Sequence, residues 1–132
     1  MLNGRKLRIL LVDDDDTVRK LIRTMLASLG HDVIAARDGD EALRIFSADH
    51  RFHLILTDIM MPHMDGWQLS LRIKEIEPGI PIVAITGEKP DSILSRLSGS
   101  GIDSALFKPF AINILKDAIE SLDMHEGYAG RV

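Results

Sequence analysis

Asp58 closes the apolar run Leu54, Ile55, Leu56 and is followed by Pro62 and the Asp65-Gly66 pair, in the stretch LILTDIMMPHMDG. The run has the length and bulk of a strand buried on both faces, and the Pro and Asp-Gly signals stop it, so Asp58 falls at a strand's C-terminal tip. An acid there either caps the following turn or faces a ligand, and on its own the residue leaves both open. It is not alone. Asp13 to Asp16 follow the apolar run 8–12, Thr86 closes the run 81–85, and Lys108 follows Ala105, Leu106 and Phe107. Carboxylates, a hydroxyl and an ammonium group together would handle a cation and an anionic ligand at one place, provided that the fold collects them.

The chain has 132 residues, enough for one domain with a proper core. Its hydrophobic content of 45% and net charge of -4 argue against disorder and against a nonspecific nucleic-acid binder, whose surface would be basic. Any strong electrostatic partner is therefore a cation, met locally. With no cysteine, disulfides, thiolate metal sites and a cysteine nucleophile are excluded, which fits a reducing cytoplasm. The N-terminal MLNGRKLR is too short and polar for a signal peptide, and every apolar run stops well short of the roughly 20 residues that span a bilayer. We expect no membrane association.

The elements that must position these residues alternate along the chain. After strand 8–12 and its acids, Val18, Leu21, Ile22, Met25, Leu26 and Leu29 recur at helical spacing, and Gly30 suits the end of that helix. Val33 to Ala36 forms a short strand ending at Asp38-Gly39, and a helix from about Asp40 to Ala48 carries Ala42, Leu43 and Phe46 on its apolar stripe. The strand leading to Asp58 is followed by a helix after Gly66 that buries Leu69, Ile73 and Ile76. A fourth strand covers 81–86. Residues 88–101 are the least regular, with Pro90 starting a fourth helix, and mobility is expected there. Residues 105–107 form the last strand, and Ile112, Leu115, Ile119 and Leu122 stripe the last helix, after which the tail from Asp123 is expected to fray. Alternating strands and helices predict an α/β fold, a parallel sheet covered on both faces with right-handed crossovers. Such a sheet reverses its winding at one point and opens a crevice there, at the strands' C-terminal edge, where Asp13, Asp14, Asp58, Thr86 and Lys108 would gather.

In this order, and each at a strand tip, LVDDDD, LTDIMMPHMDG, VAITG and FKPF resemble the receiver domain of two-component response regulators, the CheY-like superfamily. The resemblance covers residues 8–122, with 1–7 an N-terminal extension and 123–132 a C-terminal tail. It implies a single doubly wound, flavodoxin-like (βα)5 domain with strand order 2-1-3-4-5. It further implies that Asp58 is the phosphoacceptor, that Asp13 and Asp14 bind a metal with Asp58 and the Met60 backbone carbonyl, that Thr86 is the phosphoryl-sensing hydroxyl, and that Lys108 pairs with the phosphate. Mg2+ is the implied cofactor, with Mn2+ as a substitute. The implied partner is a histidine kinase or a histidine phosphotransfer protein, docking near Val18 to Ile22 on the first helix. The output is an unidentified downstream protein rather than nucleic acid, and the protein is expected to be cytoplasmic, and either a monomer or a dimer formed on phosphorylation.

Each role has an ordinary structural competitor. Carboxylates at a helix N-terminus are favoured by about 0.3–1 kcal/mol, and Asp15 and Asp16 fit that purpose. A lone Thr at a strand end is commonly a turn residue, and a Lys before Pro is commonly solvated. His31, His50, His53, His63 and His125 show no ligand spacing and read as surface or strand-edge residues; Trp67 and the adjacent methionines read as packing. One departure from the family stands out: where many receivers carry a Tyr or Phe that rotates inward on activation, this chain has Ala105. Activation is then expected to run through shifts in residues 87–101. A metal-dependent aspartyl phosphohydrolase would want a general acid at Met60, and a flavin carrier would want a phosphate-cradling loop where four aspartates stand. A degenerate receiver would lack some of the five site residues. Because no DNA-binding or enzymatic segment follows Leu122, the chain is expected to be a free-standing receiver, or one cut from a larger transcriptional regulator or hybrid kinase.

Overall fold

The computed structural model describes residues 5–122. In chain order the elements are β1 (Arg8–Val12), α1 (Asp16–Ser28), β2 (Asp32–Ala36), α2 (Gly39–Ala48), β3 (Leu54–Asp58), α3 (Gly66–Ile76), β4 (Ile82–Thr86), α4 (Pro90–Leu94), β5 (Ser104–Phe107) and α5 (Ile112–Leu122). The five strands form one parallel sheet in the order β2-β1-β3-β4-β5. The winding reverses between β1 and β3, and the crevice opens beside Asp13 and Asp58.

Alternation along the central strands builds two cores. On one face Leu10, Val12, Ile55, Ile82 and Ala84 pack with Ala42 and Phe46 of α2, Trp67, Leu69 and Ile73 of α3, and Ile93 of α4. On the other, Ile9, Leu11, Leu54, Leu56, Val83 and Ile85 pack with Ile22 and Leu26 of α1 and Leu115, Ile119 and Leu122 of α5. β3 and β4 are buried along their whole length, as expected of strands covered on both faces. Burial of this kind is worth about 25 cal/mol per Å2 of apolar surface, and it holds the polar strand ends where the sheet puts them.

The helix ends follow local chemistry. Asp15 caps α1 by accepting from the Val18 amide, Asp38 caps α2 by accepting from Glu41, and Asp65 forms a reciprocal capping box with Gln68 on α3. Gly30 follows α1 with φ of +95°, a left-handed conformation that glycine adopts without strain. α4 has only five residues and no side-chain cap, although Pro90 sits at its start.

Three of the residues expected on buried stripes are exposed. Leu21 lies on the outer flank of α1, Ile76 is the last residue of α3, and Ile112 is the first residue of α5. The stripes are real, but they are narrower than six residues in α1 and stop short of the helix ends. The expectations for the tail from Asp123 and for His125 lie outside the described residues.

Two of the histidines do more than occupy the surface. His31 Nδ1 accepts the amide of Leu7, the residue before β1, at 3.1 Å, and His53 Nδ1 accepts the Arg8 amide at 2.9 Å, so two imidazoles satisfy the N–H groups where β1 begins. Burial, with the nearby His53 adding to it, holds His31 below its ordinary value of 6.5. The unfolded chain therefore binds that proton more readily, so the contribution of His31 to stability is present above pH 6.5 and is lost as the pH falls through the folded value. Gln at this position accepts the same amide without titrating. Between about pH 7.5 and about pH 5.5 the melting temperature of the wild type should fall further than that of His31→Gln. Equal falls in thermal melts would show that this bond does not titrate.

Candidate functional site

Register brings the strand tips level. Val12 pairs with Thr57, so the next residues, Asp13 and Asp58, stand side by side, and Thr86 pairs with Phe107, placing Lys108 just beyond it. The Lys108 amide donates to the Thr86 carbonyl at 2.7 Å, which carries β5 on toward the acids. The Lys108–Pro109 peptide is cis. Lys108 Nζ lies 3.0 Å from Asp13 Oδ2 and 3.5 Å from Asp58 Oδ2.

The carboxylates of Asp13, Asp14 and Asp58 each offer an oxygen within 4.8 Å of the others. Asp13 is fully buried, Asp58 is nearly so, and Asp14 is exposed. Asp13 Oδ1 accepts the Asp15 amide at 2.9 Å, and Asp58 Oδ1 accepts the Ile59 amide at 2.8 Å. These bonds leave Asp58 Oδ2 directed at Lys108.

The electrostatics follow from that crowding. Burial first, and then the neighbouring Asp13 and Asp14 charges, push the Asp58 carboxyl up to about 6, against the opposing pull of Lys108 and the Ile59 amide. Burial alone would lower Lys108, but its hydrogen bond to Asp13 and the charge of Asp58 outweigh this and raise it, so it stays a cation at neutral pH. A single ammonium group thus serves two buried carboxylates, and Asp14 adds a third negative charge at the mouth. An all-oxygen donor set with surplus negative charge fits a hard divalent cation such as Mg2+, which takes oxygen ligands and keeps several of its waters.

Thr86 is fully buried, and its Oγ1 accepts the Glu88 amide at 3.0 Å, tying the start of the loop toward α4. Met60 lies two residues beyond Asp58 and is exposed. The five side chains singled out from the sequence therefore meet at one sheet edge. Asp15 and Asp16 cap and charge α1, as expected for them. The ordinary reading of Lys108 as a solvated residue does not describe its environment, whereas Thr86 does make the turn bond of its ordinary reading, to the amide two residues on.

Sequence reasoning passed over two residues at this site. A Cβ at Gly66 would lie 2.4 Å from the Asp58 carbonyl oxygen and 2.8 Å from the Ile59 Cα, so only glycine lets the loop close back against the end of β3. Its place in the Asp65-Gly66 pair was visible, but the close approach is a tertiary fact. Arg19 donates through Nη1 to the Asp13 carbonyl at 2.9 Å and through Nη2 to Asp16 Oδ1 at 2.5 Å. The spacing from Asp16 was the available signal for this contact.

A fold and a site of this kind define a phosphoacceptor signalling module, and comparison with known proteins agrees. Residues 9–120 match the response regulator receiver domain, and the chain belongs to that family. It is 37% identical over 122 residues to the probable transcriptional regulator ycf27 of Cyanidium caldarium, covering 91% of this chain and 47% of that protein. It is 35% identical to the sensor histidine kinase RcsC of Escherichia coli K12, covering 84% of this chain and 12% of that one. The chain thus spans about half or less of these curated relatives. Among solved structures, the receiver domain of the sensor histidine kinase PA1611 from Pseudomonas aeruginosa PAO1, with magnesium in its active-site cleft, superposes with a TM-score of 0.80 at 29% identity, covering 89% of this chain and 97% of that one.

If the acids form a cation site, binding must stabilise the fold. At tenfold excess over the dissociation constant, Mg2+ should contribute about 1.4 kcal/mol, or roughly 4–8 °C in melting temperature. Asp14→Asn should shrink that rise while raising the melting temperature of the metal-free protein, since it removes one of the repelling charges. A wild-type melt indifferent to millimolar Mg2+ would contradict the cation site.

Proposed function

We propose that this protein is a phosphorelay receiver that accepts a phosphoryl group on Asp58 from the phosphohistidine of a histidine kinase or histidine phosphotransfer protein. The observation that carries the reading is the meeting of Asp58 Oδ2 with Lys108 Nζ at 3.5 Å, beside two further acids whose oxygens lie within 4.8 Å. Attack by Asp58 forms a P–O bond as the P–N bond breaks, and the imidazole leaves with a proton. The side chains have mainly to position the groups and offset charge. Asp13, Asp14, Asp58 and the Met60 carbonyl would hold Mg2+, or Mn2+ in its place, which when bound offsets the negative charge of the incoming group. Lys108 pairs with the new phosphoryl oxygens, and the Thr86 hydroxyl donates to one of them. In turning to do so, Thr86 releases the Glu88 amide, so the loop toward α4 registers the event.

Ala105 gives the output no aromatic to move. The loop after α4 instead packs on α3: the Arg96 guanidinium lies 4.4 Å over the Trp67 ring, and Lys74 Nζ lies 3.0 Å from Asp103 Oδ2. Shifts in residues 87–101 are then transmitted to α3. A small apolar groove of about 130 Å3 beside Lys108, lined by Val18, Leu21, Ile22, Met25 and Phe110, is where the phosphodonor protein would dock.

The product is a changed binding surface, so the protein acts in signalling with only self-phosphorylation and self-dephosphorylation as chemistry. A phosphohydrolase is disfavoured by Met60, which cannot donate a proton. The same reading serves a receiver of residues 8–122 working alone or within a longer regulator or hybrid kinase, in the cytoplasm, as a monomer or a phosphorylation-dependent dimer. Incubation with acetyl phosphate and Mg2+ should add one phosphoryl mass to the intact protein and none to Asp58→Asn. The amide resonances of residues 88–101 should move in the same sample. Absence of an adduct under these conditions would refute the reading.

A further inference from the structure

Arg19 is placed against the ordinary preference of its helix. It stands in the opening turns of α1, after the Asp15 cap and Asp16, where the helix dipole favours anions and gains nothing from a cation. An Asp16–Arg19 pair three residues apart would also be worth little if both side chains were solvated. Yet the Arg19 side chain is only 13% exposed, against 73% for Asp16. It folds back over the acidic turn, and Nη1 reaches the main-chain carbonyl of Asp13, six residues earlier, at 2.9 Å.

That carbonyl belongs to the peptide linking Asp13 to Asp14. The other groups of Asp13 are already fixed: its amide donates to the Ala36 carbonyl at 3.2 Å, Oδ1 accepts the Asp15 amide and Oδ2 accepts from Lys108. Arg19 adds the last restraint, on the peptide plane from which Asp14 departs. Asp14 is the exposed member of the three acids, so its direction depends on its backbone.

We propose that Arg19 is a positioning residue for the cation site, holding the Asp13–Asp14 peptide so that the Asp14 carboxylate stays within reach of those of Asp13 and Asp58. This rests on reading the three acids as a divalent-cation site. Geometry and charge make opposite demands here, which makes the role testable. As a mere positive charge near the site, Arg19 repels the cation, and its removal would tighten binding. As a positioning residue, it promotes binding, and its removal weakens it.

The test is calorimetric titration of Mg2+ into the full chain, metal-free at the start, for the wild type, Arg19→Ala and Arg19→Lys. Outer-shell partners of a metal site typically contribute 10–100-fold in affinity, so a loss of about tenfold is expected in both variants. Lys keeps the charge but cannot bridge the Asp13 carbonyl and the Asp16 carboxylate as the guanidinium fork does. Should Arg19→Ala fail to fold, Arg19→Lys decides, read together with the carbonyl 13C resonance of Asp13 and the amide of Asp14 in the metal-free protein, both of which should move. Tighter binding in Arg19→Ala, or wild-type affinity in Arg19→Lys, would overturn the positioning role. A wild type that takes up no Mg2+ would overturn the cation site and this proposal with it.

Discussion

Three carboxylates share one strand-tip crevice with one lysine, and much of the structure serves to keep them there. Asp13 and Asp58 are buried, Asp14 stands at their mouth, and Lys108 divides itself between the two buried acids. Unpaired, such charges would be intolerable in a core. The two buried ones are tolerated because Lys108 pairs with both and the Asp15 and Ile59 amides donate to them. The two cores do not touch the chemistry, but they set the register that places Asp13 beside Asp58. The residual crowding leaves Asp58 with a carboxyl raised to about 6 and the pocket with an unmet demand for positive charge. A divalent cation would answer that demand, and under the proposed function its charge would also offset that of an incoming phosphoryl group.

The connection from this pocket to the rest of the molecule runs through hydrogen bonds to the main chain. Thr86 carries the Glu88 amide on its hydroxyl and the Lys108 amide on its carbonyl, so one residue links β4, the loop toward α4 and the lysine. Gly66 brings the loop after Asp58 to within contact of its own strand. With Ala105 in place of a ring and a fourth helix of only five residues, the segment after α4 leans on α3 through Arg96 and Asp103. Any output path through this face would differ from one routed along β5.

Much of this was legible in the sequence. Apolar runs ending in Asp58, Thr86 and the acids after Val12 marked the strand tips, because a strand covered on both faces is nearly continuous in apolar residues. Strand order came from the resemblance rather than from periodicity, which says nothing about which strands are neighbours. Leu21, Ile76 and Ile112 were misplaced because helical spacing identifies a stripe but not its width or where the helix leaves the sheet. His31 and His53 read as surface or strand-edge residues, and they do lie beside the start of β1, but no spacing rule reveals that a ring nitrogen will accept an amide there. Gly66 and Arg19 were missed for the same reason: their partners, the Asp58 and Asp13 carbonyls, belong to the backbone, which sequence patterns do not display.

The claim at the centre is that Asp58, the cation and Lys108 form one phosphoryl-binding unit. Beryllium fluoride with Mg2+ tests it directly, because a carboxylate oxygen can join the beryllium to complete a tetrahedral phosphoryl mimic whose fluorines the cations meet. In 19F NMR the wild type should show bound fluoride resonances that require Mg2+ and vanish in Asp58→Asn. Bound resonances that survive in Asp58→Asn, or none in the wild type, would contradict the account.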